Sequence, residues 1–188
     1  MGRKVIFLDI DGVLQPLSSE KRFDHDLDKL QEKFAKEVNP EYAKMDKYDI
    51  GAVYYDWHPE AVQNLKDLIK NAGADIVISS GWKDFSDLNR LKLLFKIQDL
   101  DKYITDVTYD TYHFYERFRK EKEYRYRWEE IAHYLEEHPE IEKFVILDDT
   151  YDYDYKEHFP GKYIKTKPYF TREDYKKALE ILGVPNKN

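Results

Sequence analysis

The sequence predicts an α/β fold in which helices cover both faces of a mostly parallel sheet. Short runs of β-branched and other apolar residues alternate along the chain with longer segments whose apolar residues recur every three or four positions. Runs such as 5–8 and 144–147 are apolar at every position, which is typical of strands buried on both faces. The chain has 188 residues, enough for one domain with a real core, so we expect a single domain over residues 1–188.

The first predicted strand is followed by a segment that does not fit this alternation. The strand covers residues 4–8 and ends at Asp9. Residues 15–56 contain two prolines, a Tyr-rich stretch and, within 24–38, one charged run with helical spacing of its apolar residues. We therefore interpret 15–56 as a small cap or insertion after the first strand, with a helix inside 24–38.

From Pro59 onward the alternation of helices and strands is regular. Pro59 suits the first position of a helix and Gly73 suits its end, so we predict a helix over 59–72. The second strand is predicted at 75–78, because this run is apolar after its first residue and is rich in isoleucine and valine. It ends at Ser79, so a second polar residue stands at the end of a buried strand.

The middle of the chain carries two predicted helices, a short strand and a polar segment. Apolar residues with helical spacing predict a helix over 88–95, and 103–107 is predicted as a short third strand. Residues 109–126 are polar, charged and rich in Tyr. A helix is then expected over 128–138, where it must end before Pro139.

The last predicted elements are two strands and a C-terminal helix. Residues 143–147 form an apolar run that ends in Asp148 and Asp149, and 163–165 is a shorter strand. Thr171, with an acidic residue three positions later, is typical of a capping box that opens a helix. Strands that alternate with helices in this way favour a parallel sheet with helices on both faces.

The composition excludes several kinds of chemistry. Without Cys, the chain has no disulfide, no thiolate zinc site and no cysteine nucleophile, and a reducing, cytoplasmic compartment is the expected location. The formal net charge of -7 disfavours non-specific binding to nucleic acid or to anionic membranes. No apolar run is long enough to cross a bilayer, so we expect no membrane partner.

Polar residues stand at the ends of three predicted strands. They are Asp9 with Asp11, Ser79, and Asp148 with Asp149. Because ligands bind beyond the carboxyl ends of parallel strands, these five side chains can meet in one crevice. Several carboxylates in one cleft repel each other unless a cation lies among them, and an all-oxygen site without Cys suits Mg²⁺. Protein-bound Mg²⁺ usually also binds phosphate oxygens of a substrate, so such a site indicates phosphoryl transfer.

The same segments resemble motifs of the haloacid dehalogenase (HAD) superfamily. Residues 7–14, Phe-Leu-Asp-Ile-Asp-Gly-Val-Leu, are similar to its first motif, a hydrophobic strand followed by Asp-x-Asp-Gly-Thr/Val-Leu. Ser79 is similar to the second motif and 147–149, Leu-Asp-Asp, to the fourth. More narrowly, 78–83 and 127–131 resemble a group of HAD domains, some of them found in RNA-repair proteins. The resemblance implies a HAD-like (Rossmann-like) three-layer sandwich with a parallel sheet.

The resemblance also implies a role for each residue of the cluster. Asp9 would be the nucleophile that forms an aspartyl-phosphate, and Asp11 would be the general acid and base. Ser79 would donate a hydrogen bond to a phosphoryl oxygen. Asp9, the backbone carbonyl of Asp11, Asp148 and Asp149 would bind Mg²⁺, with Asp149 bound directly or through water. Asp at position 11 favours phosphatase over dehalogenase activity, because hydrolysis of the acyl phosphate calls for an acid and base there.

Arg127 is the candidate for the third motif, a Lys or Arg that neutralises the nucleophile and the phosphate. It lies at the start of the helix that precedes the fourth motif, which is where the family places this cation; Arg125 and Lys83 are the alternatives. Residues 151–155 alternate Tyr and Asp and are expected to pack over the fourth motif or to contact substrate. The Tyr, Arg and Lys of 109–127 form either a solvated helical face or a surface that stacks bases.

These expectations together describe a Mg²⁺-dependent phosphohydrolase that acts on a phosphomonoester. A short cap leaves an open site, so we expect a phosphorylated small molecule as substrate, with a nucleotide or a nucleic-acid end as the bulkier alternative. Two other functions stay open, namely a nucleic-acid end-processing phosphatase and a binding module that retains the fold without turnover. The sequence does not determine the oligomeric state.

Overall fold

The centre of the fold is a five-stranded sheet in the computed structural model, which describes residues 2–108, 126–150 and 152–185. Within these ranges all neighbouring strands are parallel, in the order β3-β2-β1-β4-β5. The strands are β1 (Arg3–Leu8), β2 (Asp75–Ile78), β3 (Ile104–Val107), β4 (Ile141–Asp148) and β5 (Tyr163–Lys165). The parallel sheet predicted from the sequence is confirmed.

Seven α-helices accompany the sheet in the described ranges. They are α1 (Leu27–Glu37), α2 (Lys47–Gly51), α3 (Pro59–Ala72), α4 (Leu88–Lys96), α5 (Arg127–Glu137), α6 (Asp152–His158) and α7 (Arg172–Ile181). Short 3-10 turns and one π-helical turn connect some of them. No helix in the part of the chain described here is both long and apolar enough to cross a membrane.

Both faces of the sheet are covered, which gives three layers. In β1, the side chains of Ile6 and Leu8 belong to a buried cluster that includes residues of α3, α4 and α7. Val5 and Phe7 point to the other face, where they pack with Ile131 of α5 and with residues of α6 and β4. Since side chains of a strand alternate between faces, the uninterrupted apolar run of β1 serves both layers.

The predicted ends of several helices are confirmed by their capping contacts. α3 begins at Pro59 and ends before Gly73, whose φ of 63° is left-handed. At the start of α7, the Thr171 hydroxyl accepts from the amide of Asp174, and the Asp174 carboxylate accepts from the amide of Thr171. By contrast, α6 was not predicted: residues 151–155 were expected to pack over the fourth motif with no helix assigned to them, and the structure has a helix from Asp152.

Apolar residues of the segment 15–56 pack into the same buried cluster as one face of the sheet. Helix α1 of this segment contributes Leu27 and Leu30 to the buried cluster that also contains Phe95 of α4. Where the segment ends, the amide of His58 donates to the carbonyl of Leu14 at 2.7 Å. The function of 15–56 as a cap stays a prediction.

Some residues that the sequence singled out lie outside the described ranges. These are the Tyr- and Arg-rich residues 109–125, among them Arg125, and Tyr151.

Candidate active site

Three strand ends meet at one edge of the sheet. β1 lies between β2 and β4, and hydrogen bonds join the amide of Asp9 to the Leu147 carbonyl (3.0 Å) and the amide of Ser79 to the Leu8 carbonyl (2.9 Å). The strand order reverses direction between β1 and β4, and open parallel sheets bind ligands at such a switch point. The fold therefore brings Asp9, Ser79 and Asp148 to one crevice, although they are far apart in sequence.

Three of the predicted carboxylates form a tight, buried cluster. Asp9, Asp148 and Asp149 each place a carboxylate oxygen within 4.8 Å of those of the other two. Burial, followed by repulsion from Asp148, raises the pKa of Asp9 to about 7. The same two causes raise the pKa of Asp149. A cation among these oxygens would relieve the repulsion, and a set of carboxylate donors fits Mg²⁺, so these residues could hold the predicted ion.

Asp11 lies in the turn after β1, and a tryptophan contacts its carboxylate. The indole Nε1 of Trp82 donates to Asp11 Oδ2 at 3.0 Å. Trp82 follows β2, and its ring packs against Trp57 with the ring centroids 6.4 Å apart. The Asp11 side chain is not a member of the three-carboxylate cluster. Its predicted metal contact is through the backbone carbonyl and stays a prediction.

Gly12 allows the turn after β1 to approach Asp149 closely. Its φ is 71°, a left-handed conformation that favours glycine. A Cβ atom at position 12 would stand 2.4 Å from Cγ of Asp149. Glycine is therefore required here both by the backbone and by the carboxylate that β4 places against it.

Arg127, the first residue of α5, contacts the predicted nucleophile. Its Nη1 lies 3.2 Å from Asp9 Oδ1 and also donates to the carbonyl oxygen of Ser79. Burial acts to lower the pKa of the guanidinium, but the charges of Asp9 and Asp148 outweigh it and the pKa rises. Arg127 thus provides a permanent positive charge beside Asp9, in the position predicted for the third-motif cation.

Lys83, an alternative for that cation, is paired elsewhere. Its Nζ lies 3.1 Å from Glu130 Oε2 and 3.3 Å from Asp84 Oδ1, and its side chain is 1% exposed. The Thr108 hydroxyl donates to the same oxygen of Glu130 at 3.0 Å. Burial raises the pKa of Glu130, and Lys83 opposes this shift. This buried ion pair joins the turn after β2 to α5, one helical turn beyond Arg127.

Two adjacent serines follow β2 and have different surroundings. Ser79 is fully buried, and its hydroxyl has no hydrogen-bond partner among the described residues. Such a hydroxyl is available to donate to a ligand, as predicted for Ser79. The Ser80 side chain hydrogen-bonds to Asp9 and favours its charged form. Ser80 was not predicted as a site residue, and its one signal in the sequence is the Ser-Ser doublet at 79–80.

Asp148 is held by two further side chains, Thr150, which was not predicted as part of the site, and Tyr155, which was expected to pack over the fourth motif. Thr150 donates to Asp148 Oδ1 through its amide (2.8 Å) and its hydroxyl (3.0 Å). The hydroxyl of Tyr155, in α6, donates to Asp148 Oδ2 at 3.1 Å. Burial, and then Asp148, raise the pKa of this tyrosine. Tyr155 is buried, whereas Tyr153 is 78% exposed, so the tyrosines after the fourth motif have different environments.

Comparison with known proteins gives one match. A family model described as the HAD domain in Swiss Army Knife RNA repair proteins matches residues 5–175. The match runs from Val5 in β1 past β5 and includes every candidate site residue named above. No curated protein and no solved structure gave a match.

Proposed function

The chain belongs to the family of HAD domains found in Swiss Army Knife RNA repair proteins, and on that premise we propose that it is a Mg²⁺-dependent phosphomonoester phosphatase. The observation that carries the proposal is the buried cluster of Asp9, Asp148 and Asp149 with Arg127 at 3.2 Å from Asp9. It combines a carboxylate that can act as nucleophile, oxygen ligands for a cation and a fixed positive charge, and together these support phosphoryl transfer through an aspartyl-phosphate.

In the first step, a carboxylate oxygen of Asp9 attacks phosphorus. The bond from phosphorus to the leaving oxygen breaks, and Asp9 becomes an aspartyl-phosphate. Asp11 gives its proton to the leaving oxygen. Arg127 and the Ser79 hydroxyl stabilise the negative charge of the transferred phosphoryl group. Bound Mg²⁺, held by Asp9, Asp148 and Asp149, would supply further neutralisation of that charge.

In the second step, water releases the phosphate. Asp11, now a carboxylate, takes a proton from water, and the water oxygen attacks phosphorus. The bond from phosphorus to Asp9 breaks, which yields inorganic phosphate and restores the nucleophile. The indole of Trp82 fixes the orientation of the Asp11 carboxylate through its 3.0 Å hydrogen bond.

The family description favours a second, more specific function, the removal of phosphate from RNA ends. It names RNA repair proteins, and the three-carboxylate cluster suits a terminal phosphate as well as it suits a small phosphomonoester. The remaining alternative, a module without turnover, is disfavoured because Asp9 and Asp11 are both present. A cytoplasmic location stays a prediction from the absence of Cys.

A substrate screen tests the proposal. The purified chain would be assayed with and without Mg²⁺ on p-nitrophenyl phosphate, nucleotides, sugar phosphates, phosphoamino acids and 3′- or 5′-phosphorylated oligonucleotides. We expect Mg²⁺-dependent release of phosphate, and Asp9→Asn should lower kcat at least about 1,000-fold. Asp24→Asn, at an exposed aspartate outside the cluster, is the matched control and should retain activity. Full Mg²⁺-dependent activity of Asp9→Asn would refute the mechanism.

A further inference from the structure

A groove extends from the candidate active site over the surface between two loops. It has a volume of about 400 Å³ and is lined by Gly12 and Asp149 at one end and by Leu17, Lys167 and Pro168 along its walls. We call it the Leu17–Lys167 groove. Its volume falls in the range of small-ligand sites, roughly 300–1,000 Å³. Because Gly12 directly follows Asp11, the groove begins beside the residue that would protonate a leaving group.

Hydrogen bonds hold both walls of the Leu17–Lys167 groove. On one side, the Thr166 hydroxyl donates to the Gly12 carbonyl at 2.8 Å, which fixes the start of the loop that carries Lys167. On the other side, the Ser19 amide donates to the Pro16 carbonyl at 2.9 Å, so the chain turns at Leu17. The groove is therefore formed by anchored loops.

The walls of the groove combine exposed apolar surface with one positive charge. Leu17 is 72% exposed, and Pro168 is also exposed. Lys167 is exposed and has no ion-pair partner among the residues that the structure describes. Lys167 and Asp149 line the same groove, so the positive charge of Lys167 lies near the carboxylate cluster.

We propose that the Leu17–Lys167 groove is the leaving-group subsite and that it takes a nucleotide end whose second phosphate binds Lys167. The inference rests on the proposed phosphatase function and adds the substrate class that this site selects. With the phosphomonoester at Asp9, the sugar and base lie against Leu17 and Pro168. A substrate without a second negative charge leaves the exposed Lys167 ammonium hydrated, whereas a nucleoside bisphosphate or an oligonucleotide end places a second phosphate where this ammonium can bind it.

The first test compares substrates that differ by one phosphate. Hydrolysis of adenosine 3′,5′-bisphosphate would be measured against adenosine 3′- and 5′-monophosphate, in wild type and in Lys167→Gln. We expect kcat/KM of wild type to favour the bisphosphate roughly fivefold, and Lys167→Gln to reduce this ratio to about 1. Lys167→Arg should restore most of the preference, and high salt should weaken it.

Lys70→Gln is the matched control for the loss of one lysine. Lys70 is exposed and lies in the last turn of α3, which leads to the start of β2 and so to the opposite edge of the sheet from the site. This variant should show the wild-type preference. An unchanged preference in Lys167→Gln, or a phosphotyrosyl peptide that is hydrolysed better than every nucleotide, would overturn the subsite proposal.

Two results separate failure of the subsite from failure of the phosphatase function. If wild type hydrolyses p-nitrophenyl phosphate but does not prefer the bisphosphate, the subsite proposal fails and the proposed function stands. If no substrate is hydrolysed, calorimetry on Asp9→Asn still decides the subsite. Adenosine 3′,5′-bisphosphate should bind Asp9→Asn roughly fivefold more tightly than the Asp9→Asn/Lys167→Gln double variant, and equal affinities would overturn it.

Discussion

At the scale of single residues, Asp9 experiences opposing electrostatic forces. Arg127 lies 3.2 Å from it and Ser80 donates to it, and both favour its charged form. Burial and the neighbouring Asp148 favour the neutral form and prevail, so the pKa rises. In the proposed mechanism Asp9 must be charged to attack phosphorus, and the metal-free protein therefore disfavours the state that this mechanism requires.

This conflict predicts that Asp9→Asn stabilises the metal-free protein. Between about pH 4 and 7 the folded state retains a proton on Asp9 that the unfolded state has lost, so stability falls as pH rises through this window. In EDTA at pH 8, the free energy of unfolding of Asp9→Asn should exceed that of wild type by about 4 kcal/mol, since each unit of the pKa difference corresponds to about 1.4 kcal/mol. The difference should vanish near pH 4. Denaturant titrations at both pH values measure it, and a destabilised variant at pH 8 would contradict the prediction.

A second prediction at this scale concerns Trp82. Trp82→Phe retains an aromatic ring but removes the hydrogen-bond donor to Asp11. The Asp11 carboxylate, the proposed general acid and base, is then no longer held in one orientation. We expect kcat to fall about tenfold with little change in KM, measured on p-nitrophenyl phosphate. Trp57→Phe is the control, since the Trp57 indole nitrogen has no hydrogen-bond partner in the described part of the chain. Equal losses of kcat in the two variants would assign the effect to packing.

The residues of the site differ in how far the sequence could predict them. The positions of Asp9, Asp148 and Asp149 at strand ends followed from buried apolar runs, because strand direction fixes where such ends lie. The contact of Trp82 with Asp11 could not be predicted in this way, and for Tyr155 the expectation was packing over the fourth motif without the hydrogen bond to Asp148. Both contacts depend on how a turn and a helix fold back over the crevice, and no local pattern encodes that path.

At the scale of elements, the same contrast holds. The strands and α3, α4, α5 and α7 were predicted within a few residues, because each has a clear apolar period or cap. α6 was missed, because the alternation of Tyr and Asp has the period of a strand and not that of a helix. In addition, Tyr155 of α6 is buried where its hydroxyl contacts Asp148, and this tertiary contact leaves no local pattern. The turns within 15–56 depend on tertiary contacts such as the 2.8 Å ion pair of Arg22 with Asp56.

The buried pair of Lys83 and Glu130 gives a prediction for these elements. Lys83→Met would leave the Glu130 carboxylate buried without its partner, so we expect a loss of about 3 kcal/mol in the free energy of unfolding. The double variant Lys83→Met/Glu130→Leu should recover most of this loss, because neither charge of the pair remains to be buried without its partner. Urea denaturation of both variants measures the coupling. The exposed pair of Lys177 with Glu173 is the control, and Lys177→Met should change stability little.

At the scale of the whole molecule, the strand order determines where function is located. Asp9 follows the central strand β1, Ser79 follows β2 and Asp148 ends β4, and helices cover both faces, so one edge of the sheet remains open to a ligand. The alternation of strands and helices was sufficient to predict the layers and the parallel sheet. It was not sufficient to place 15–56, whose apolar residues join the core of the domain.

Metal binding should be visible in the stability of the entire domain. Because the folded state alone gathers the three carboxylates, Mg²⁺ at about 100 times its Kd should raise Tm by about 5–10 °C at pH 8. Thermal denaturation with MgCl₂ and with NaCl at equal ionic strength separates specific binding from screening. Asp148→Asn should abolish the shift. An equal rise in NaCl would show that no specific cation site exists.

The contact of Gly12 with Asp149 has a consequence for how this protein can vary or be redesigned. Two segments of the candidate site that are distant in the gene share one small volume, so a larger side chain at position 12 would meet Asp149. A library that randomises position 12 alone should return glycine, and removal of the carboxylate at 149 relieves only this contact, because the left-handed backbone at position 12 also favours glycine. A substitution scan of single positions would assign to Gly12 a constraint of which Asp149 is one part.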